Sequence, residues 1–348
     1  MATVPQDPAG AEIGWLASLE RVARGRRRAL VLTHDNPDPD AIASALGLSF
    51  LLQQRCKVKC TVAYGGVIGR EENRALVKML RLPVVRLSRL DPDAFDLYCL
   101  VDTQPAATNH SLPSGLVAEV VVDHHPPRPS TAGVPAALVS EIYGATSSLV
   151  AALLRAADLE PDVELATALF YGVKTDTRSL SREADAADEA AYDWLFPRTD
   201  QAILALIENP QVPREYFRTL HRAIEEARVY DNVVWMDLGD VYNPDVVATL
   251  AERLVMLEGV KWSVALGIYD VYLYLSVRTN DRRMNAGKRV ERMVSELGGS
   301  GGGHGQIAAA RFDISTQTYS EVQALRARIL HRFLTGFGAA EQEGRHLV

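Results

Sequence analysis

Short runs of leucine and β-branched residues recur through the first half of the chain, and each is separated from the next by more chain than a tight turn needs. Ala29–Thr33 (ALVLT), Lys57–Ala63, Leu97–Val101 (LYCLV) and Val117–Val122 are strand candidates, and helical patterns fall at Ala41–Gln54, Glu71–Leu80, Ala145–Ala157 and Val163–Gly172. Strands joined by long crossovers pair in parallel, and near-continuous apolar strands need cover on both faces. The pattern predicts an α/β domain on a mostly parallel sheet covered by helices, with functional groups gathered at the carboxyl ends of the strands.

A helical, charge-laced stretch over residues 184–230, interrupted at Asn209-Pro210, reads as a connector. The pattern then restarts with a strand at Asn232–Leu238, a helix at Pro244–Glu258, a hairpin of Trp262–Ile268 and Tyr272–Val277, and a helix at Asn285–Leu297. A Gly-rich loop at Gly298–Gly305 and a helix at Ser320–Phe337 complete a smaller α+β unit, and the polar tail beyond Gly338 is expected to fray. The expected division is a first domain at 1–195, a connector at 196–230 and a second domain at 231–348, consistent with the length of 348 residues.

Net charge is −7, which argues against reliance on global basic charge to bind nucleic acid but leaves room for a local basic pocket. Cys56, Cys60 and Cys99 are odd in number and form no CxxC, so a reducing, cytoplasmic setting is expected rather than a disulfide framework or structural zinc. The start has no charged segment leading into an apolar one, and no run of about 18 apolar residues occurs, so neither a signal peptide nor a membrane span is expected.

Chemistry concentrates where apolar runs end. THDNPDPDA at Thr33–Ala41 places His34, Asp38 and Asp40 on a loop whose prolines force a tight, non-helical path. One imidazole and two carboxylates suit Mn²⁺ or a similar ion; helix capping by Asp40 would account for one acid only. Asp102 ends the strand LYCLV, where an Asp can also be a plain turn residue. Asp123-His124-His125 follows a β-branched run, and Asp176 ends a helical one. Adjacent side chains of an extended segment point to opposite sides, so one of the two histidines is expected to bind metal while its neighbour faces a phosphate, with Asp123 orienting a ligand from behind. His34, Asp38, Asp40, Asp102, His124 and Asp176 suit two cations sharing a carboxylate, which would generate a hydroxide nucleophile for phosphoryl transfer.

GGSGGGHG at Gly298–Gly305 can offer backbone N–H groups to an anion, with His304 alongside, or serve as a flexible linker. It matches neither a P-loop nor a dinucleotide fingerprint. The basic run at Arg24–Arg28 reads as a solvated helix end rather than an RNA contact. Tyr272 and Tyr274 read as one face of a sheet, with base stacking by one of them as the alternative.

Together, THDNPDPDA, Asp102, Asp123-His124-His125 and Thr175–Thr177 (TDT) resemble the four successive motifs of the DHH phosphoesterases, and the GGGH loop resembles the signature of the associated DHHA1 domain. The resemblance runs from about Leu30 to about Phe337 and implies two domains with an active site in the cleft between them, usually with Mn²⁺ and with Mg²⁺ or Co²⁺ as alternatives. By that resemblance, one ion takes His34, Asp38 and Asp102, and the second takes Asp40, Asp102, His124 and Asp176. Asp102, Asp123 and His125 are then the catalytic group, with His125 on the scissile phosphate or leaving group. Arg278, Gly302, Gly303 and His304 match its substrate contacts. The chain departs from the family where Arg178 and Leu180 follow Thr177 in place of a TDTG-x-F run, and where GQIAAA ends in Ala rather than Gly; Arg178 could be an added phosphate contact or a salt-bridge partner.

The implied function is that of the stand-alone nanoRNase and 3′-phosphoadenosine-5′-phosphate phosphatase group: hydrolysis of short RNA or DNA oligonucleotides, linear dinucleotides or that bisphosphate. A pyrophosphatase or exopolyphosphatase, or a nucleotide-binding regulatory module, is the alternative. A RecJ-type exonuclease is disfavoured because no OB-like segment follows the Gly-rich one. A homodimer is left open.

Overall fold

The computed structural model describes residues 8–337 and 343–348, without the side chains of Pro8, Ala9 and His304. Two compact units result, residues 1–210 and 211–348. The first contains α1 (Pro8–Ala23), β1 (Arg28–Thr33), α2 (Pro39–Leu51), β2 (Lys59–Tyr64), α3 (Glu71–Met79), β3 (Val84–Arg86), β4 (Leu97–Val101), β5 (Val120–Asp123), β6 (Ala136–Val139), α4 (Thr146–Ala156), α5 (Val163–Asp176), α6 (Ala186–Leu195) and α7 (Gln201–Glu208). Its six strands are all parallel, in the order β3-β2-β1-β4-β5-β6.

The alternation of side chains along β1 sorts the core into two layers. Ala29 and Val31 face a large cluster in which α1, α2, α4 and α5 supply Leu19, Leu48, Leu149, Leu169 and their neighbours. Leu30 and Leu32 face a smaller cluster with Leu87, Phe95, Leu100 and Val121. Cover on that second face comes from loops and short 3₁₀ turns rather than from full helices. Helix α2 is buried along almost its whole length between sheet and outer helices, which explains its nearly continuous apolar sequence. The Arg24–Arg28 run is tied down locally: Arg26 pairs with Glu119, and the Arg27 and Arg28 amides donate to Asp96.

The second unit contains α8 (Arg214–Glu226), β7 (Arg228–Tyr230), β8 (Val233–Asp240), α9 (Asp245–Leu254), β9 (Trp262–Tyr269), β10 (Tyr272–Thr279), α10 (Ala286–Leu297), β11 (Ser300–His304), β12 (Ile307–Asp313), α11 (Tyr319–Thr335) and β13 (Arg345–His346). The order β11-β12-β10-β9-β8-β7-β13 forms a mixed sheet in which β8 and β9 run parallel. Val233 and Trp235 face one core with α10 and α11, and Val234 and Met236 the other with α9. Residues 196–230, expected as a connector, divide between the units: α7 packs on α3 and α5, and α8 on β8 and α9.

The Gly-rich stretch departs from the expected loop. Ser300–His304 pairs antiparallel with β12 as the edge strand. The strands lie so close that a Cβ on Gly301 would meet the Ala310 Cβ at 2.5 Å, and one on Gly303, at φ 157°, would meet the Ile307 carbonyl at 2.2 Å. Among the described residues no helix is long and apolar enough to cross a membrane.

Candidate metal centre

The parallel sheet reverses its order between β1 and β4, which opens a crevice at the carboxyl ends of these two strands. His34 directly follows β1 and Asp102 directly follows β4. The loop after β1 is held from the side: the Asn36 amide donates to the Gly65 carbonyl (3.0 Å), the Val67 amide donates to Asn36 Oδ1 (2.9 Å), and Ser111 Oγ donates to the Asp35 carboxylate. Gly66 sits at φ 67° with no room for a Cβ beside Asn36.

Asp38 is the N-cap of α2, accepting from the Ala41 amide at 3.0 Å, with Pro39 opening the helix. The capping alternative for Asp40 therefore falls to Asp38. Asp40 is 1% exposed, and its two oxygens accept the Thr146 and Ser147 amides at the start of α4, each at 2.7 Å. An acid in the first turn of α2 thus also faces the positive end of α4.

Asp102 has φ 58°, an unfavourable conformation for an L-residue, held by its amide donating to the Val122 carbonyl and by Thr146 Oγ1 donating to Oδ1 (2.7 Å). Its Oδ2 lies 3.4 Å from His34 Nε2, and its Oδ1 lies 3.6 Å from His124 Nε2. His34 Nε2 is also 3.9 Å from Asp38 Oδ1, and His124 Nε2 is 3.3 Å from Asp176 Oδ2. Donor atoms about 2.1 Å from one ion sit about 3 Å apart, so these separations fit cations between them. Among the described residues, three sets have donor atoms within 4.8 Å of one another: His34, Asp38 and Asp102; Asp40, His124 and Asp176; and Asp102, His124 and His125. Asp102 offers a different oxygen to His34 and to His124, as a bridging ligand would.

The tautomers are set from behind. His34 Nδ1 donates to the Asp35 carbonyl (2.9 Å) and His124 Nδ1 to the Tyr143 carbonyl (3.2 Å), which leaves each Nε2 lone pair toward the cluster. The expectation that His124 and His125 point to opposite sides is corrected: β5 ends at Asp123 and the chain bends at His125. The two rings lie 4.3 Å apart, and His125 Nδ1 is also 3.6 Å from Asp102 Oδ1. Asp123 supports His125 rather than His124, accepting its Nδ1 at 2.8 Å. Gln104 in turn donates to Asp123 Oδ2 (2.6 Å) and to the Pro126 carbonyl, while its Oε1 accepts the Arg128 amide and Thr131 Oγ1. A cavity of about 350 Å³ opens here, lined in part by Asp102, Gln104, Asp123, His125 and Arg128.

The cluster concentrates charge of both signs in buried surroundings. Burial and the Asp102 charge push the Asp40 carboxyl up to about 7. Burial, then the Asp40 and Asp38 charges, also raise Asp176. Burial alone would lower His34, but the Asp102 hydrogen bond and the charges of Asp38 and Asp102 bring it up to about 10. Burial alone would raise Asp102, but the His34 hydrogen bond and the surrounding imidazoles hold it well below the usual carboxylate range.

Arg178 is exposed, with φ 47°. Arg278 is buried: its Nε and Nη2 hold Glu252 Oε1 at 3.1 and 3.0 Å, and Nη1 donates to Ser276 Oγ and the Val277 carbonyl. That guanidinium is thus engaged inside the second unit. Gly302 and Gly303 lie in β11, and the His304 side chain falls outside the described residues. Sequence reasoning missed Gln104, Thr146 and Ser147. Only Thr146-Ser147-Ser148 ahead of LVAALL carried a local signal, that of a helix start.

A parallel-sheet domain with acids and imidazoles at its strand ends, followed by a mixed-sheet domain, defines the class. Residues 28–173 match the DHH family, N-terminal domain, and residues 230–332 match the DHHA1 domain. The chain belongs to the DHH family and carries a DHHA1 domain. It is 34% identical over 321 residues to the uncharacterized protein MJ1633 of Methanocaldococcus jannaschii, covering 90% of this chain and 65% of that one. It is 24% identical over 334 residues to the cyclic-di-AMP phosphodiesterase PdeA of Listeria monocytogenes, covering 89% of this chain and 48% of that protein. The chain thus spans about half to two thirds of the length of these relatives. Its fold is similar to an exopolyphosphatase-related protein from Bacteroides fragilis (TM-score 0.69, 17% identity, 93% and 98% of the two chains). It is also similar to RecJ in complex with Mn²⁺ from Thermus thermophilus (TM-score 0.54, 16% identity, 99% and 61%).

Proposed function

We propose that the chain is a metal-dependent phosphoesterase acting on short oligonucleotides, linear dinucleotides or 3′-phosphoadenosine 5′-phosphate. The observation that carries this reading is the pair of donor sets, His34/Asp38/Asp102 and Asp40/His124/Asp176, joined through the two oxygens of Asp102. Manganese is the cation of choice because the donors are imidazole and carboxylate without thiolate, and because RecJ is a Mn²⁺-binding relative. Two such cations would act as Lewis acids on the phosphate and make water a nucleophile at neutral pH.

The protein's own contribution is placement and proton transfer. Helix α4 holds Asp40 through two amides and Asp102 through Thr146 Oγ1, which pre-orients both carboxylates. His125 lies beside the cavity with Nδ1 on Asp123, which leaves Nε2 for the substrate. Burial alone would lower it, but in the metal-free protein the Asp123 hydrogen bond brings it up to about 9. As water oxygen bonds to phosphorus and the P–O ester bond breaks, His125 can give its Nε2 proton to the departing oxygen. The three free cysteines agree with a cytoplasmic enzyme.

The test is a panel of the adenosine bisphosphate, pApA, cyclic di-AMP, a longer RNA and pyrophosphate with Mn²⁺. Release of mononucleotide from the first two, abolished in Asp40→Ala and Asp102→Ala, is the expected result. Turnover of pyrophosphate alone, or of none, overturns the reading.

A further inference from the structure

The turn after α5 holds three consecutive L-residues, Arg178, Ser179 and Leu180, in the left-handed region, at φ 47°, 54° and 64°. A Cβ makes that conformation unfavourable at each position, and such outliers persist only where their surroundings impose them. The surroundings are evident. The Ser179 amide donates to the Lys174 carbonyl (2.8 Å), the Arg182 amide to the Thr177 carbonyl (2.9 Å), and the Leu180 amide to the Thr177 hydroxyl (3.1 Å). The Leu180 side chain packs against the main core. The turn therefore doubles the chain back over the end of α5, which carries Asp176.

Arg182 is what this path delivers. Its Nη2 donates to the Asp176 carbonyl and lies 3.4 Å from Asp176 Oδ1, while Asp176 Oδ2 faces His124 Nε2 at 3.3 Å. The two carboxylate oxygens thus have separate partners, one in the cluster and one on the guanidinium, and rotation of the carboxylate would break both.

We propose that Arg182 is a positioning residue that presents Asp176 Oδ2 to the second cation, and that the left-handed turn at 178–180 serves to place it. The inference rests on the two-cation reading above. The experiment titrates full-length, metal-free protein with Mn²⁺, following free Mn²⁺ by electron paramagnetic resonance without substrate. It compares wild type, Arg182→Gln and Arg182→Lys, with kcat and KM measured at limiting and saturating Mn²⁺.

In Arg182→Gln, one of two Mn²⁺ sites should weaken about 10- to 100-fold, the range for a group that orients a metal ligand. The other site should be unchanged, and kcat should recover as Mn²⁺ is raised. Arg182→Lys, which keeps the charge, should lose less, and it carries the test if the Gln variant fails to fold. Wild-type Mn²⁺ affinities at both sites in a folded variant overturn the proposal. So does a change in KM alone, which would make Arg182 a substrate contact. Wild-type protein binding fewer than two Mn²⁺ would instead overturn the two-cation reading.

Discussion

Gln104→Leu is a sharp test of how the reactive histidine is held. Gln104 is 1% exposed, and its amide makes four hydrogen bonds, to the Asp123 carboxylate, the Pro126 carbonyl, the Arg128 amide and Thr131 Oγ1. Leucine has similar bulk but leaves all four groups unpaired. The bond to a carboxylate contributes about 1.5–3 kcal/mol and the neutral ones about 1 kcal/mol each. Partial relaxation toward water from the adjoining cavity lowers the sum, so a loss of about 3–4 kcal/mol in urea unfolding is expected. Asp123, freed from one side, would hold His125 less well, and kcat should fall about 10- to 100-fold at saturating Mn²⁺. Gln104→Glu separates orientation from packing. It keeps the acceptor for Arg128 and Thr131 but sets a carboxylate against Asp123 where the amide now donates at 2.6 Å, so it should be the less active variant at neutral pH. Wild-type stability and kcat in both variants would refute the chain of support from Gln104 through Asp123 to His125.

Mn²⁺ binding should release protons and tighten as pH rises from about 6 to 9, because His34, up near 10 without metal, and Asp40, near 7, must both deprotonate to ligate. Calorimetric titration in two buffers of different ionisation enthalpy reads the release directly, and a buffer-independent enthalpy would contradict it. Asp96 bears on stability in acid: the cost of burial is outweighed by the Arg28 and Arg27 amides and the Arg26 charge, so its folded pKa is depressed. Its contribution is present above the carboxylate's unfolded value of about 4 and lost as pH falls through the lower folded value. Asp96→Asn should therefore lower Tm at pH 7 and converge with wild type in acid; a Tm difference that does not shrink would count against it.

His34, Asp102 and His124 stood out in sequence because each follows a strand of the parallel sheet, whereas Asp38 and Asp40 stood out as acids opening α2 and Asp176 as the acid ending α5. The supporting groups were not legible. Gln104 reaches residues 19 to 27 positions away, and no local pattern marks that span. Arg178, read as an added phosphate contact or a salt-bridge partner, is exposed, and the guanidinium beside Asp176 is that of Arg182. Arg278, which by resemblance matches a substrate contact, is buried against Glu252, a residue of a different element. The Gly-rich edge strand was hidden because glycine carries no strand preference of its own, and its role depends on how near β12 lies. Strands β3 and β6, of three and four residues, are too short for period-2 patterning to register.

The measurement that bears most directly on the centre is the Mn²⁺ content of the protein, by anomalous diffraction from crystals grown with the ion. Two peaks flanking Asp102 are expected, one beside His34 and Asp38 and one beside Asp40, His124 and Asp176, with both lost in Asp102→Ala. A single peak away from Asp102, or two peaks that survive its removal, would contradict the account.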